Sequence, residues 1–161
     1  MKKNLNPYKK IMSLDELTSH LKTIKNRKIV FTNGCFDLLH LGHIDYLNKA
    51  ARLGDLLIVG LNTDQSVKCL KGSGRPINNQ ESRSKLLSAL ECVDCVVLFD
   101  EETPINLIKN ILPDVLVKGA DYTIDEIIGH EIVLANNGSV ERIAFLEGYS
   151  SSRIINKIKN G

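Results

Sequence analysis

No run in this sequence is long and apolar enough to cross a bilayer. Leu56-Leu57-Ile58-Val59 and Cys95-Val96-Val97-Leu98-Phe99 are only strand-sized. No apolar stretch of signal-peptide type follows Met1-Lys2-Lys3-Asn4-Leu5-Asn6-Pro7. These absences lead us to expect a soluble, cytoplasmic protein without a membrane partner. Charge of one sign is also missing. Twenty-one Lys and Arg against 19 Asp and Glu leave a net +2, too balanced for a nucleic-acid surface. Any anion must therefore be met by local placement of cations. Cysteine is sparse, with thiols at 35, 69, 92 and 95, which excludes a disulfide scaffold. Cys92-Val93-Asp94-Cys95 has the spacing of a redox or metal half-site but no second pair, so we expect buried apolar thiols. G-x-x-x-x-G-K-[ST] does not occur, which excludes a P-loop. No G-x-G-x-x-G follows the first strand and no G-x-S-x-G occurs, which disfavours dinucleotide binding and a nucleophile elbow. Internal repeats, linkers and low-complexity segments are lacking too.

The 161 residues are enough for one domain. A hydrophobic fraction of 43% and a charged fraction of 25% are close to globular averages. Ser13-Leu14-Asp15-Glu16 is a capping box, followed by Leu17, Leu21 and Ile24 at helical spacing. We expect residues 1–27 to form an N-terminal helical extension. Strands are expected over 29–32, 55–61, 93–99, 115–118 and 140–145. Helices are expected over 43–53, 80–90, 104–112, 124–136 and 151–159. Lys71-Gly72-Ser73-Gly74-Arg75-Pro76 has no periodicity and reads as a mobile loop. Apolar strands alternating with helices predict a Rossmann-like α/β fold, a parallel five-stranded sheet with helices on both faces. In such sheets ligands bind at the carboxyl ends of the strands.

The first strand ends in Thr32-Asn33-Gly34-Cys35-Phe36-Asp37, and His40-Leu41-Gly42-His43 opens the next helix. Two imidazoles at i, i+3 point to one side. Unpaired N–H groups at the helix start carry a partial positive charge, and Gly42 presents no side chain to keep a ligand off the backbone. Together these parts predict a phosphate cradle. A metal reading of the two histidines lacks a third ligand of suitable spacing.

Asn33-Gly34-Cys35-Phe36-Asp37-Leu38-Leu39-His40-Leu41-Gly42-His43 resembles the signature of the cytidylyltransferase-like nucleotidyltransferases. Three further segments resemble the ADP-heptose synthase adenylyltransferases within them. These are Lys71-Gly72 with Arg75-Pro76, then Val117-Lys118-Gly119-Ala120-Asp121-Tyr122, and Glu147-Gly148-Tyr149-Ser150-Ser151-Ser152. The similarity runs from about residue 10 to residue 159. It implies transfer of a nucleotidyl group from ATP to D-glycero-β-D-manno-heptose 1-phosphate, with release of pyrophosphate. It also implies Mg²⁺ on the leaving group and a homodimer. Under this reading His40, His43 and Lys71 are catalytic, with His43 nearest the α-phosphate. Thr32, Asn33, Gly34, Phe36 and Gly42 line the nucleotide, joined by Lys118, Gly119 and Asp121. Ser150, Ser151 and Ser152 hold the β- and γ-phosphates. Lys71, Arg75 and Arg83 hold the substrate phosphates. Asp37 either supports the magnesium through water or holds the backbone of its own turn. Related CDP-glycerol-forming enzymes carry an arginine where this chain has Phe145, which weakens a CTP and glycerol 3-phosphate reading. Guanylyl transfer to the α-anomer is a closer rival, and a nucleotide sensor without turnover is the rival outside enzymology.

Overall fold

The computed structural model describes residues 6–160. A short 3₁₀ turn over Pro7–Lys10 leads into β1 (Ile11–Met12), and the Ser13 capping box opens α1 (Leu14–Thr23). There follow β2 (Ile29–Gly34), α2 (Leu41–Ala51), β3 (Leu56–Asn62), α3 (Asp64–Lys71) and α4 (Gln80–Ser88). The second half runs β4 (Cys95–Phe99), α5 (Ile105–Ile111), β5 (Val115–Gly119), α6 (His130–Ala135), β6 (Ser139–Ile143) and α7 (Ser151–Asn160). All strand pairs are parallel, in the order β1-β4-β3-β2-β5-β6.

Alternation along the strands divides the core into two layers. Val30, Leu57, Val59 and Leu61 face α2 with Tyr46, Leu47 and Ala50. Phe31, Ile58, Val97 and Leu116 face α1 and α5 with Leu17, Leu107 and Ile108. Three aspartates hold the amino ends of the strands. Asp55, Asp114 and Asp94 accept the backbone N–H groups of Lys28, Ile29 and Leu57 at 2.7–2.8 Å. The chain reverses its winding direction between β2 and β5, so a crevice opens beyond their carboxyl ends.

Four differences from the sequence reading have physical causes. The sheet has six strands, because β1 joins the edge of β4; two residues are too short to show a period. Of the expected extension 1–27, residues 1–5 lie outside the described residues and α1 belongs to the core, since Leu17 is fully buried on the α5 side. Thr63 caps α3, which the polar sequence Asp64-Gln65-Ser66 did not announce, and the loop begins only at Gly72. The helix expected over 124–136 is broken. A 3₁₀ turn ends at Glu126 and α6 begins at His130, with Gly129 at φ +87° between them. A Cβ at Gly129 would also lie 2.5 Å from the Ile108 side chain. Among the described residues no helix is long and apolar enough to cross a membrane.

Leu17→Ala tests whether α1 is integral. A buried leucine truncated to alanine costs about 2–5 kcal/mol. Urea unfolding should show that loss; an unchanged midpoint would make α1 a peripheral attachment.

Candidate functional site

A cleft of about 480 Å³ occupies the crevice. Its floor is Asn33-Gly34-Cys35-Phe36 at the end of β2 and Asn62 at the end of β3. His43 and Tyr46 of α2, Lys71 at the end of α3 and Ser151 of α7 form one part of its wall. Lys118, Gly119, Asp121 and Tyr122 follow β5, and Phe145 follows β6. Glu102, Thr103 and Pro104 come from the turn before α5. The four sequence motifs, separated by up to about a hundred positions, therefore each bring at least one residue or backbone segment to this region.

The two histidines stack, with ring centroids 3.8 Å apart and planes 18° from parallel. Only His43 lines the cleft; His40 lies behind it as the N-cap residue of α2. Burial, the neighbouring His40 ring and the Lys71 ammonium push His43 down to about 4. Burial lowers His40 as well. The Nδ1 atoms of both rings are buried without a hydrogen-bond partner among the described residues. The ligand-free cradle is thus built around a neutral His43 imidazole.

Lys118 donates to the Asn33 carbonyl at 3.2 Å, and its ammonium lies 5.7 Å from the Tyr122 ring centroid. Burial lowers its pKa. A Cβ on Gly119 would meet the Phe145 ring and the Asp121 carboxylate, so a larger residue there would have to push both side chains aside. Phe145 packs in turn on Tyr46, with centroids 5.7 Å apart.

Several expected ligands serve the framework instead. Arg83 is fully buried and does not reach the cleft. It donates to the carbonyls of Cys35, Asn62 and Asn78 and to the Asp64 carboxylate at 2.7–3.0 Å. Its expected contact with substrate phosphate is corrected accordingly: the charge is spent inside the protein. Asp37, 2% exposed, accepts from the Ile77 and Asn78 backbone and from Arg75 Nε at 2.5–2.9 Å. It fixes the 75–78 segment, not its own turn, while also lining the cleft. Among the described residues no group of three His, Cys, Asp or Glu side chains is placed to hold a metal ion. Arg75 is held by that ion pair and does not line the cleft, although its Nη2 is buried without a partner among the described residues. The segment expected to be mobile is thus anchored at its carboxyl end.

Thr32 is buried, its hydroxyl 2.8 Å from that of Tyr46. Gly42 makes room for the His40 ring and for Tyr149, each 3.1 Å from where its Cβ would be, and does not line the cleft. Phe36 takes φ +44°, and its ring centroid is 5.2 Å from that of His43. Ser150 accepts the Arg153 N–H as a cap, Ser151 donates to the Leu38 carbonyl from the cleft wall, and Ser152 is exposed. Cys95 is buried and Cys92 half-buried, with burial pushing both thiols up, as expected of apolar cysteines.

The sequence reading missed Tyr46, Asn62 and the Glu102–Pro104 turn. Tyr46 stands one helical turn after His43, which was the available signal. Thr103-Pro104 carries in sequence only the signal of a helix start.

Two measurements check this arrangement. Arg83→Met should cost about 3–5 kcal/mol, the cost of stripping one partner from a buried charge network. A normal unfolding midpoint with weakened phosphate binding would instead return Arg83 to the substrate. His43 has a folded pKa below its unfolded value, so native His43 refuses a proton that the unfolded chain accepts. Its contribution to stability is lost as pH falls from about 6.5 toward 4. His43→Ala should flatten the pH dependence of stability in that window; an unchanged slope would mean a solvated ring.

Comparison with known proteins agrees with this geometry. The family model described as cytidylyltransferase-like matches residues 31–157. The bifunctional protein HldE of Citrifermentans bemidjiense is 54% identical over 151 residues, covering 92% of this chain and 31% of that protein. The protein of the same name from Campylobacter jejuni subsp. jejuni is 57% identical, covering 94% of this chain and 32% of its own. The chain thus spans about a third of the length of these relatives. Among solved structures, a lipopolysaccharide core biosynthesis protein from Thermoplasma volcanium aligns with a TM-score of 0.61 and 30% identity, over 78% of this chain and all of that one. A pantoate-beta-alanine ligase from Francisella tularensis shares the fold, with a TM-score of 0.58 and 18% identity over 92% of this chain and 76% of that one. With its signature loop, its paired histidines and its later motifs gathered about one cleft, the chain belongs to the cytidylyltransferase-like family of nucleotidyltransferases.

Proposed function

We propose that this chain joins ATP to D-glycero-β-D-manno-heptose 1-phosphate, giving ADP-heptose and pyrophosphate. The observation that carries this reading is the convergence of His43, Lys71, Lys118 and Ser151 on one cleft beyond the strand ends. The similarity to HldE proteins and to a lipopolysaccharide core biosynthesis protein supports the choice of sugar.

The chemistry needs no protein nucleophile. A phosphate monoester has a second pKa of about 6, so near pH 7 the sugar phosphate is largely a dianion. One of its oxygens attacks the α-phosphorus, a new P–O bond forms, and the bond to the β-phosphate bridging oxygen breaks. Pyrophosphate carries away the electron pair. The obstacle is bringing two polyanions together, so catalysis consists of positioning and charge neutralisation. His43 donates a hydrogen bond to the α-phosphate from the cleft wall. Lys71 and Lys118 supply positive charge from two sides. Magnesium travels with ATP and neutralises the triphosphate. Asp37 lines the cleft with its oxygens engaged by Ile77, Asn78 and Arg75, so it would support the ion only through water. No step here passes through a protein-bound metal.

Pyrophosphate release with heptose 1-phosphate and each of ATP, GTP and CTP tests the reading, and ATP should be preferred. A preference for GTP with the α-anomer, or for CTP with glycerol 3-phosphate, would replace it. Nucleotide binding without turnover would favour a sensor. In the active pair, His43→Ala should lower kcat at least about 10²-fold with folding intact. Lys71→Ala should raise KM for the sugar phosphate. Near-normal turnover in the first variant, or an unchanged KM in the second, would remove that residue from the mechanism.

A further inference from the structure

Asn33 is at the floor of the cleft with a side-chain Oδ1 that is buried and has no hydrogen-bond partner among the described residues. A buried amide oxygen left unpaired is costly, and native proteins pair nearly all such groups. The missing partner must come from whatever fills the cleft. It must also be a donor. The phosphates of both substrates are largely ionised near pH 7 and only accept, so they cannot satisfy this oxygen. A hydroxyl can. Turning the amide over would put its NH₂ at the same point, and a hydroxyl satisfies that as well.

The position of Asn33 in the sheet selects which hydroxyl. Thr32 points to the α2 side, where it meets Tyr46. Asn33 points to the opposite side. Its Cβ and Leu107 of α5 both crowd the point where a Cβ on Gly60 would stand, at 3.2 and 3.1 Å. The cleft-lining residues His43, Tyr46 and Ser151 belong to α2 and α7. The wall on the Asn33 side is instead Glu102, Thr103 and Pro104, the turn that opens α5. This wall offers a carboxylate and a hydroxyl, and the one ammonium beside it, that of Lys118, is held by the Asn33 carbonyl at 3.2 Å. A lobe of that mix suits a hydroxyl-bearing phosphate better than a bare polyphosphate.

We infer that the Asn33 side chain is a specificity determinant that hydrogen-bonds a hydroxyl of the phosphorylated acceptor, while its main-chain carbonyl holds Lys118. This rests on the proposed transfer to a polyhydroxylated phosphate.

Asn33→Ala and the bulkier Asn33→Leu test it. With wild type and both variants, KM is measured separately for ATP and for heptose 1-phosphate. The expected result is a rise of about tenfold in the acceptor KM, the loss of one neutral hydrogen bond from a buried partner. The ATP KM should move less than about twofold. Because the amide holds up nothing inside the protein, the unfolding midpoint of at least one variant should match wild type. A rise confined to the ATP KM would assign the amide to the ribose and overturn the inference. Unchanged values for both substrates, or a loss of stability in both variants, would overturn it too. Failure of the underlying reading appears in the wild type: turnover with CTP and glycerol 3-phosphate would discard the heptose. Asn33 would then be judged by the same KM comparison on glycerol 3-phosphate. A wild type that neither turns over nor binds any polyol phosphate, by calorimetry, overturns both.

Discussion

The site depends on one buried guanidinium. Arg83 ties together four pieces of chain: the Cys35 carbonyl of the signature loop, the Asn62 carbonyl at the end of β3, the Asn78 carbonyl just before α4 and the Asp64 carboxylate of α3. Loops at strand ends have few apolar contacts to fix them. A charged donor satisfied on several sides supplies the rigidity that burial supplies elsewhere. Asp37 works from the opposite direction, collecting donors from Ile77, Asn78 and Arg75. Together the pair of clasps holds the floor of the cleft against the segment that follows Lys71.

This internal use of charge changes what the net +2 means. Two of the arginines nearest the cleft are consumed by the framework, and His43 is kept neutral by burial. The cationic side chains lining the cleft are Lys71 and Lys118. A site with modest fixed charge avoids strong self-repulsion when no ligand is present. It also lets an incoming polyanion raise the His43 pKa, because opposite charge favours the protonated ring. Binding and charging of the cradle are then coupled.

How much of this was legible in the sequence follows residue type. The alternating apolar strands gave the sheet, its parallel sense and the edge where ligands bind, because two-sided burial leaves continuous apolar runs. The His40–His43 pair and the Lys118-Gly119 strand end were recognisable because each joins a local pattern to a fixed place in the fold. Arg75, Arg83 and Asp37 were not legible in their actual roles. A charge in a loop looks the same whether its partner is a ligand or a backbone carbonyl, and the partners here stand 5 to 48 positions away from Arg83 and 38 to 41 from Asp37. β1 and α3 were missed for a different reason: two residues carry no period, and a helix made mostly of polar residues has only a short apolar stripe.

Phe145 shows how a departure from a relative's pattern acquires physical content. In sequence it was an arginine missing from the position that CDP-glycerol-forming enzymes use. In space its ring covers Gly119, touches Tyr46 and stays about half exposed to the cleft. A phenyl face offers stacking and excludes water, but it has no hydrogen-bond donor for a pyrimidine carbonyl and no charge for a phosphate. A side chain at position 119 would have to displace that ring, so the aromatic wall and the narrow backbone beneath it are one feature. Under the proposed transfer from ATP, a broad purine would gain more from such a wall than a cytosine would, and the phosphates would find their cations elsewhere, at Lys71 and Lys118. That reading links the choice of base to the placement of charge through a single apolar side chain.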